Sequence, residues 1–484
     1  MVGLAAVTFL ALVLRLLTWR MQGTGWLDEL FSLRFASGPL FESLSIVVRD
    51  THPPLYHLLL SGWLRTFGDS LASGRALSVL CGTAAVPAVW LAARELGGRR
   101  AATVAAVLAG LSPVLAFHSG EARMYPLLAF LSSLSLWLFA RAWRDGFGCR
   151  AAVAWGFASA AMLLTHVTAA VPFAAAVGWG AWRSSGRGAR RRLLLSSALS
   201  ALPFAVWLAS AAAYRWGEVG GSWQLGANGG VAGVIGVFPR LIANGAPSSL
   251  LWPAGLMMLA LAAMAGLSRH GSGRLPELYA LWAVAPSVAF LPLGWNAVKY
   301  YLVALPAVSA LMAAGLFWFL DLVGAKRRRT AVAIALACLY AVTVVPALCR
   351  LVSVRRIRWD EAARFVESRE RPGDLIFAEW FVSELPLREH YRGSLPVASG
   401  YGYDESLPFD ERLVRYSGAA VANDEMLSRM ARDVSDAERV FLVTGALCPD
   451  RNPVQAWFVD HGWRLEGSWS ANEFSPTMLL FGRR

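Results

Sequence analysis

Gly25-Trp26-Leu27-Asp28-Glu29 sets two adjacent carboxylates a few residues beyond an apolar run, 2–19, that is long enough to cross a bilayer. Carboxylates at a membrane edge are costly unless they are used. The stretch therefore reads as a working site in a membrane protein, and the chain on either side tests that reading.

The composition agrees. The chain has 484 residues, 56% hydrophobic, with 21 Trp and a mean hydropathy of +0.47. A soluble protein of this size could not bury so much apolar surface. Residues 1–358 hold 31 Lys+Arg against 11 Asp+Glu, and residues 359–484 hold 14 against 21. The two parts differ in sign, so the net charge of +13 is no nucleic-acid signature. The five cysteines (Cys81, Cys149, Cys338, Cys349 and Cys448) have no metal spacing, and no disulfide framework is expected beyond an optional Cys349–Cys448 pair.

Apolar periodicity predicts 11 spans, at 2–19, 72–93, 101–117, 124–140, 151–165, 167–182, 193–213, 250–267, 276–293, 301–320 and 331–349. The first lacks a positive leader and a clean cleavage site, and reads as a retained helix. Arg15 within it is expected to snorkel or to function. Alternate connections carry Arg94/Arg99/Arg100, Arg141/Arg144/Arg150, Arg183/Arg187/Arg190/Arg191/Arg192, Arg269/Arg274 and Lys326/Arg327/Arg328/Arg329. The positive-inside rule makes these loops cytoplasmic. The loop 20–70, the loop 118–123, the turn at His166, residues 214–249, the loop 294–300 and the tail are then external. Arg350, Arg355, Arg356 and Arg358 run against that rule and are outvoted.

Within 20–70, Leu27/Leu30/Phe31/Phe35 and Leu55/Leu58/Leu59/Trp63/Phe67 have helical spacing, predicting external amphipathic helices in the interface plane. The tail changes character: Leu375–Ala378 and Val440–Gly445 read as buried strands, and 359–370 and 424–432 as helices. The expected fold is a polytopic α-helical membrane protein, residues 1–350, with a soluble external α/β domain at 351–484.

The unusual polar groups fall on the external side: Asp28, Glu29, His52, His57, His118, Glu121, Arg123, His166 and Lys299. Each has a plainer alternative. Asp28 and Glu29 could be helix-start charges. His52 and His57 could be solvated. Glu121 and Arg123 could be a structural ion pair, His166 an interior histidine, and Lys299 a snorkelling interfacial cation.

Three motifs stand out together: Trp26-Leu27-Asp28-Glu29, Thr51-His52-Pro53-Pro54-Leu55-Tyr56 and Ser119-Gly120-Glu121-Ala122-Arg123-Met124-Tyr125. In order and spacing they resemble glycosyltransferase family thirty-nine. That family includes the protein O-mannosyltransferase-like and aminoarabinose-transferase-like membrane enzymes of GT-C type. Leu164-Thr165-His166 and Lys299-Tyr300-Tyr301 extend the resemblance. His118, Gly120 and Lys299 stand where Tyr, Gln and Arg are common.

The resemblance implies a sugar transferase of the bacterial inner (plasma) membrane. Its donor would be a polyprenyl-phosphate sugar, and its acceptor a protein, glycolipid or polysaccharide at the outer face. Asp28 would orient or deprotonate the acceptor hydroxyl for direct, inverting attack. Glu29, His52, Glu121, Arg123, Tyr125, Lys299 and Tyr300 would bind substrate or the lipid phosphate. A divalent metal held by His166 with Asp28 or Glu29 is a further option. The rival class is a secondary transporter or lipid flippase, which would place its charges near the bilayer midplane between repeats.

Overall fold

The computed structural model describes residues 2–39, 52–215, 240–241, 274–290, 297–323, 325–401, 424–444, 453–472 and 475–483. The chain divides into two compact units. A helical unit comprises Met1–Arg20, Ala36–Ala213 and Gln224–Val354, and a sheet unit comprises Met21–Phe35, Tyr214–Trp223 and Arg355–Arg484.

The helical unit is built from α1 (Val2–Arg20), α3 (Leu55–Phe67), α4 (Leu71–Gly110), α5 (Pro113–Ser119), α6 (Tyr125–Arg144), α7 (Cys149–Leu163), α8 (Ala170–Arg183), α9 (Arg187–Arg215), α10 (Leu275–Phe290), α11 (Leu305–Leu322) and α12 (Lys326–Ser353). The helix α2 (Leu27–Ser37) begins in the sheet unit and ends in this one. Six described helices, α1, α4, α6, α9, α11 and α12, are long and apolar enough to cross a membrane. The expected span at 250–267 lies outside the described residues.

The break expected between the spans 72–93 and 101–117 is present: α4 is two helical limbs that meet at Gly98, whose φ of +73° and ψ of −172° are non-helical, a conformation glycine adopts without penalty. The second limb then stops at Gly110. Ser112 caps the short helix α5 by accepting from Leu115 N at 3.3 Å, and Pro113 takes the first helical position.

Arg15 does not snorkel. It is fully buried, and its Nη1 donates to Ala11 O at 2.9 Å and Gly110 O at 3.2 Å, tying α1 to the end of α4. In α3 the buried stripe is Tyr56, Leu60 and Leu64, together with His57, so His57 is not solvated. On the stripe expected to lie in the interface plane, Leu59 and Phe67 are exposed.

Three of the basic connections are joined by contacts. Arg144 pairs with Glu95 at 3.1 Å, Arg183 with Glu277 at 2.9 Å, and Arg192 Nε donates to Phe147 O at 2.5 Å.

The sheet unit holds five strands: β1 (Leu375–Trp380), β2 (Val397–Tyr401), β3 (Arg439–Thr444), β4 (Trp463–Ser470) and β5 (Thr477–Arg483), in the order β2-β1-β3-β5-β4. β2, β1 and β3 run parallel, and β5 and β4 are antiparallel additions. Phe377, Val440, Leu442 and Phe481 face one core; Ile376, Phe441, Val443 and Leu480 face the other. Burial on both faces is why β1 and β3 read as unbroken apolar runs. The helices α13 (Trp359–Glu367), α14 (Phe381–His390), α15 (Asp424–Asp433) and α16 (Pro453–Asp460) complete the unit.

Three of the four arginines that run against the topology rule are used here; Arg350 lies in α12 of the helical unit. Arg355 pairs with Asp360 at 3.0 Å, Arg358 Nε donates to Glu361 at 2.7 Å, and Arg356 is buried. They belong to the sheet unit's folding and need not act as a topological signal.

Candidate functional site

In the helical unit, four separate elements converge. His52 stands just before α3, and His118 ends α5. Glu121, Arg123 and Tyr125 lead into α6. His166 fills the turn after α7, and Lys299 and Tyr300 lie in the 3-10 turn Val298–Val303. His166 sits at the centre. Its ring centroid lies 5.7 Å from that of His52, 5.6 Å from Tyr125 and 5.8 Å from Tyr300. His118 packs on Tyr125 at 5.1 Å.

Local chemistry fixes each member. Leu55 N donates to Leu164 O at 2.9 Å, joining the start of α3 to the residues just before His166. Ser78, in the apolar α4, donates to Arg123 O at 3.1 Å and meets the Tyr56 hydroxyl at 3.1 Å. The 3-10 turn is held through Val303 O, which accepts from Ser132 Oγ at 2.5 Å and Trp282 Nε1 at 3.1 Å. A serine in an apolar helix gives no sign in sequence that it will hold a loop this way.

The electrostatics are lopsided towards positive charge. Lys299 Nζ lies 5.3 Å from the Tyr125 ring centre and 5.5 Å from that of Tyr300, and Arg123 lies 6.0 Å from Tyr125. Glu121 is buried, and its carboxylate accepts from His118 Nδ1 at 2.7 Å. Arg123 N also donates to Glu121 O at 2.8 Å. His166 Nδ1 accepts from Thr168 N at 3.2 Å, so the neutral ring carries its proton on Nε2. Burial first, then the neighbouring His52, Arg123 and Lys299, holds this imidazole well below its ordinary range. The arrangement can receive an anion, with aromatic faces bordering the cations.

Asp28 and Glu29 belong to the sheet unit. Both are in the first turn of α2, and their roles there differ. Glu29 is fully buried and reaches back to accept from Trp26 N at 3.3 Å, the return half of a capping box. Asp28 stays partly exposed, with Ser32 Oγ donating to its backbone oxygen at 2.9 Å. The cap that Glu29 supplies is thus separate from whatever Asp28 does.

Among the described residues no three His, Cys, Asp or Glu side chains come together as a metal-holding group. His166 Nδ1 is engaged by Thr168.

Comparison with known proteins gives the fold. Residues 51–209 match the sequence model of the dolichyl-phosphate-mannose-protein mannosyltransferase family. No curated protein sequence matches the chain. Among solved structures, the chain is similar to ArnT from Cupriavidus metallidurans in the apo state, with a TM-score of 0.61 at 14% identity, covering 98% of this chain and 97% of that one. The same enzyme bound to undecaprenyl phosphate gives 0.58 at 15%, covering 98% and 97%. The Archaeoglobus fulgidus oligosaccharyltransferase tethered to an acceptor peptide containing the NVT sequon gives 0.58 at 16%, covering 92% and 68%.

Proposed function

We propose that this chain, a membrane protein with the fold of the GT-C glycosyltransferases, moves a sugar from a polyprenyl-phosphate carrier to an acceptor hydroxyl or amine outside the cytoplasm. The observation that carries the reading is the gathering of Arg123 and Lys299 with His52, His166, Tyr125 and Tyr300, brought together from four separate elements. The match to the mannosyltransferase family over 51–209 spans most of those residues and supports the same donor class.

The chemistry follows. The acceptor attacks the anomeric carbon as the carbon–oxygen bond to the carrier phosphate breaks. The acceptor's proton passes to Asp28, a general base at a partly exposed position. Polyprenyl phosphate departs with the bonding electrons, and the guanidinium of Arg123 and the ammonium of Lys299 take up its growing negative charge. Direct attack inverts the anomeric centre and needs no enzyme–sugar bond. Glu29 keeps the helix start in place. Glu121 holds His118.

The test uses the full chain in liposomes with undecaprenyl phosphates carrying mannose, glucose, galactose, arabinose or aminoarabinose, following release of undecaprenyl phosphate. One of these donors is consumed by the wild type. Asp28→Asn lowers the rate by roughly 10² to 10⁴, the usual range for a lost general base. Arg123→Gln lowers it by about 10² to 10³, the range for a lost oxyanion donor. An Asp28→Asn variant at full rate would remove Asp28 from the chemistry. A wild type that moves an undecaprenyl phosphate across the bilayer and turns over none of the donors would make the chain a flippase.

A further inference from the structure

Six residues before Asp28, the chain is fastened to the far end of its own sequence. Arg356 N donates to Met21 O at 3.0 Å, and Ile357 N to Gln22 O at 3.1 Å. In the return direction, Thr24 N donates to Ile357 O at 2.9 Å. Gly23 and Ile357 thus form a parallel bridge between segments more than 330 residues apart. Side chains reinforce it. Arg356 Nε donates to Gln22 Oε1 at 2.7 Å with both residues buried, and Trp359 N donates to Thr24 Oγ1 at 3.1 Å. The far strand is itself held, with Ser475 Oγ donating to Arg356 O at 2.8 Å and Asn472 Nδ2 to Arg355 O at 3.0 Å.

Gly23 is required here on two counts. Its φ is +82°, and a Cβ at this position would stand 2.0 Å from Ile357 O. Immediately after the bridge, Trp26 packs against the core formed by Ile357, Trp359, Ile376, Met478 and Leu480. Trp26 is also the residue whose N–H the Glu29 carboxylate caps. A continuous set of bonded contacts therefore runs from the sheet, through Ile357 and Gly23, to the start of α2, where Asp28 is the second helical residue.

We propose that Gln22, Gly23 and Arg356 are a clasp that positions Asp28, making Arg356 and Gln22 positioning residues for sugar transfer, with the sheet domain part of the reaction machinery. The proposal rests on the reading of Asp28 as the base. It explains why a buried arginine follows the last helix, on the side where topology disfavours positive charge: its work is to hold Gln22. Opening the clasp misplaces the carboxylate and leaves the anion-receiving cluster of the helical unit intact. A base misplaced by about 1 Å can cost on the order of 10²-fold in rate.

The experiment compares wild type, Gln22→Leu, Gln22→Glu, Arg356→Met and Asp28→Asn as full chains in liposomes, with the undecaprenyl-phosphate sugar that the wild type turns over. Expected for Gln22→Leu and Arg356→Met is a kcat lower by about 10²-fold with donor KM within threefold of wild type. Gln22→Glu keeps an acceptor oxygen for Arg356 and retains the wild-type rate. Hydrogen exchange in the wild type supplies an independent arm: the amides of Thr24, Arg356 and Ile357 open together, and in Gln22→Leu they open faster while the amides of β1 and β3 stay protected. Wild-type amides at 24 and 356–357 that open independently overturn the clasp whatever the variants do. So do open amides in Gln22→Leu with an unchanged kcat, or an equal rise in donor KM. If Asp28→Asn keeps the wild-type rate, it is the reading of Asp28 that falls, whether or not the clasp amides open together.

Discussion

The two units differ in what they leave exposed. On α4 of the helical unit small residues pack: Ala85, Ala88, Ala92, Ala93, Ala101, Ala102, Ala105 and Ala106 are all buried. Large residues such as Trp155, Trp282 and Phe139 are buried there too, yet many others stand exposed, as with Phe9, Leu17, Phe157, Leu199 and Val342. In the sheet unit the large residues are inside, with Phe377, Phe441, Phe458 and Phe481 fully buried. Among the described residues of 355–484, Val459 and Leu465 are the only large aliphatic or aromatic side chains standing exposed. The difference fits lipid around the helical unit and water around the sheet unit. Lipid tails are as apolar as leucine, so helices there associate through close backbone approach and hydrogen bonds, whereas water drives large apolar groups together.

Four substitutions, in three experiments, would break that contrast, from the largest effect down. Phe441→Ala empties a site shared by strand and helix in the sheet unit and should destabilise it by about 3–5 kcal/mol. Denaturation followed by exchange at the β1 and β3 amides measures it. Next is one aspartate placed in two settings. Leu199→Asp, at a lipid-facing position 70% exposed, should cost about 2.5–3.5 kcal/mol of membrane insertion. Val459→Asp, 58% exposed on the sheet unit, should change stability by roughly 0.5 kcal/mol or less. Equal losses of inserted, monodisperse protein for the two would show that Leu199 does not face lipid. Third, Gly82→Val should lower stability by about 1–3 kcal/mol through overpacking, since a Cβ there would lie 2.1 Å from Ser119 Oγ. Thermal unfolding in detergent reads that loss.

Acid should separate the units as well, with a smaller effect. A histidine held below its ordinary value, about 6.5, contributes stability that is whole above that pH and is lost as pH falls below it. His166 is such a group. In the sheet unit, burial alone would raise the Asp360 carboxyl, but Arg355 and Arg364 outweigh it and hold it below the ordinary carboxylate range. Its contribution is whole above about pH 4 and is lost only below that, as pH falls through the lowered value. Exchange at the amides around His166 should therefore quicken between about pH 6.5 and 5, and His166→Gln should remove that step. The amides of α13 should hold until below about pH 4. Simultaneous loosening of both regions would contradict the assignment.

Much of this was legible in the sequence, and the exceptions have physical reasons. Apolar runs marked the helices because hydrocarbon imposes a length on them. The break at Ser112-Pro113 falls inside the expected span 101–117 because the residues on both sides of it are apolar. β1 and β3 were legible because both their faces are buried. β4 was not, since its outer residues alternate into solvent. In the site, the residue types of the short motifs pointed to anion and proton chemistry. Their convergence on His166 depended on Ser78, Ser132 and Leu164, which carry no chemical signal. The pairing of Gln22 with Arg356 is invisible in sequence, where two ordinary polar residues stand 334 positions apart.

That separation also has a consequence in time. The Gly23 strand leaves the ribosome early, but its bridge to Ile357 cannot close until 334 further residues have been made and the last long helix has been passed over. At about 5–20 residues per second, translation alone imposes a wait of roughly 20–70 s. The fastening is therefore among the last contacts of the chain to form, and the residues that lead into Asp28 reach their final geometry only in a completed protein.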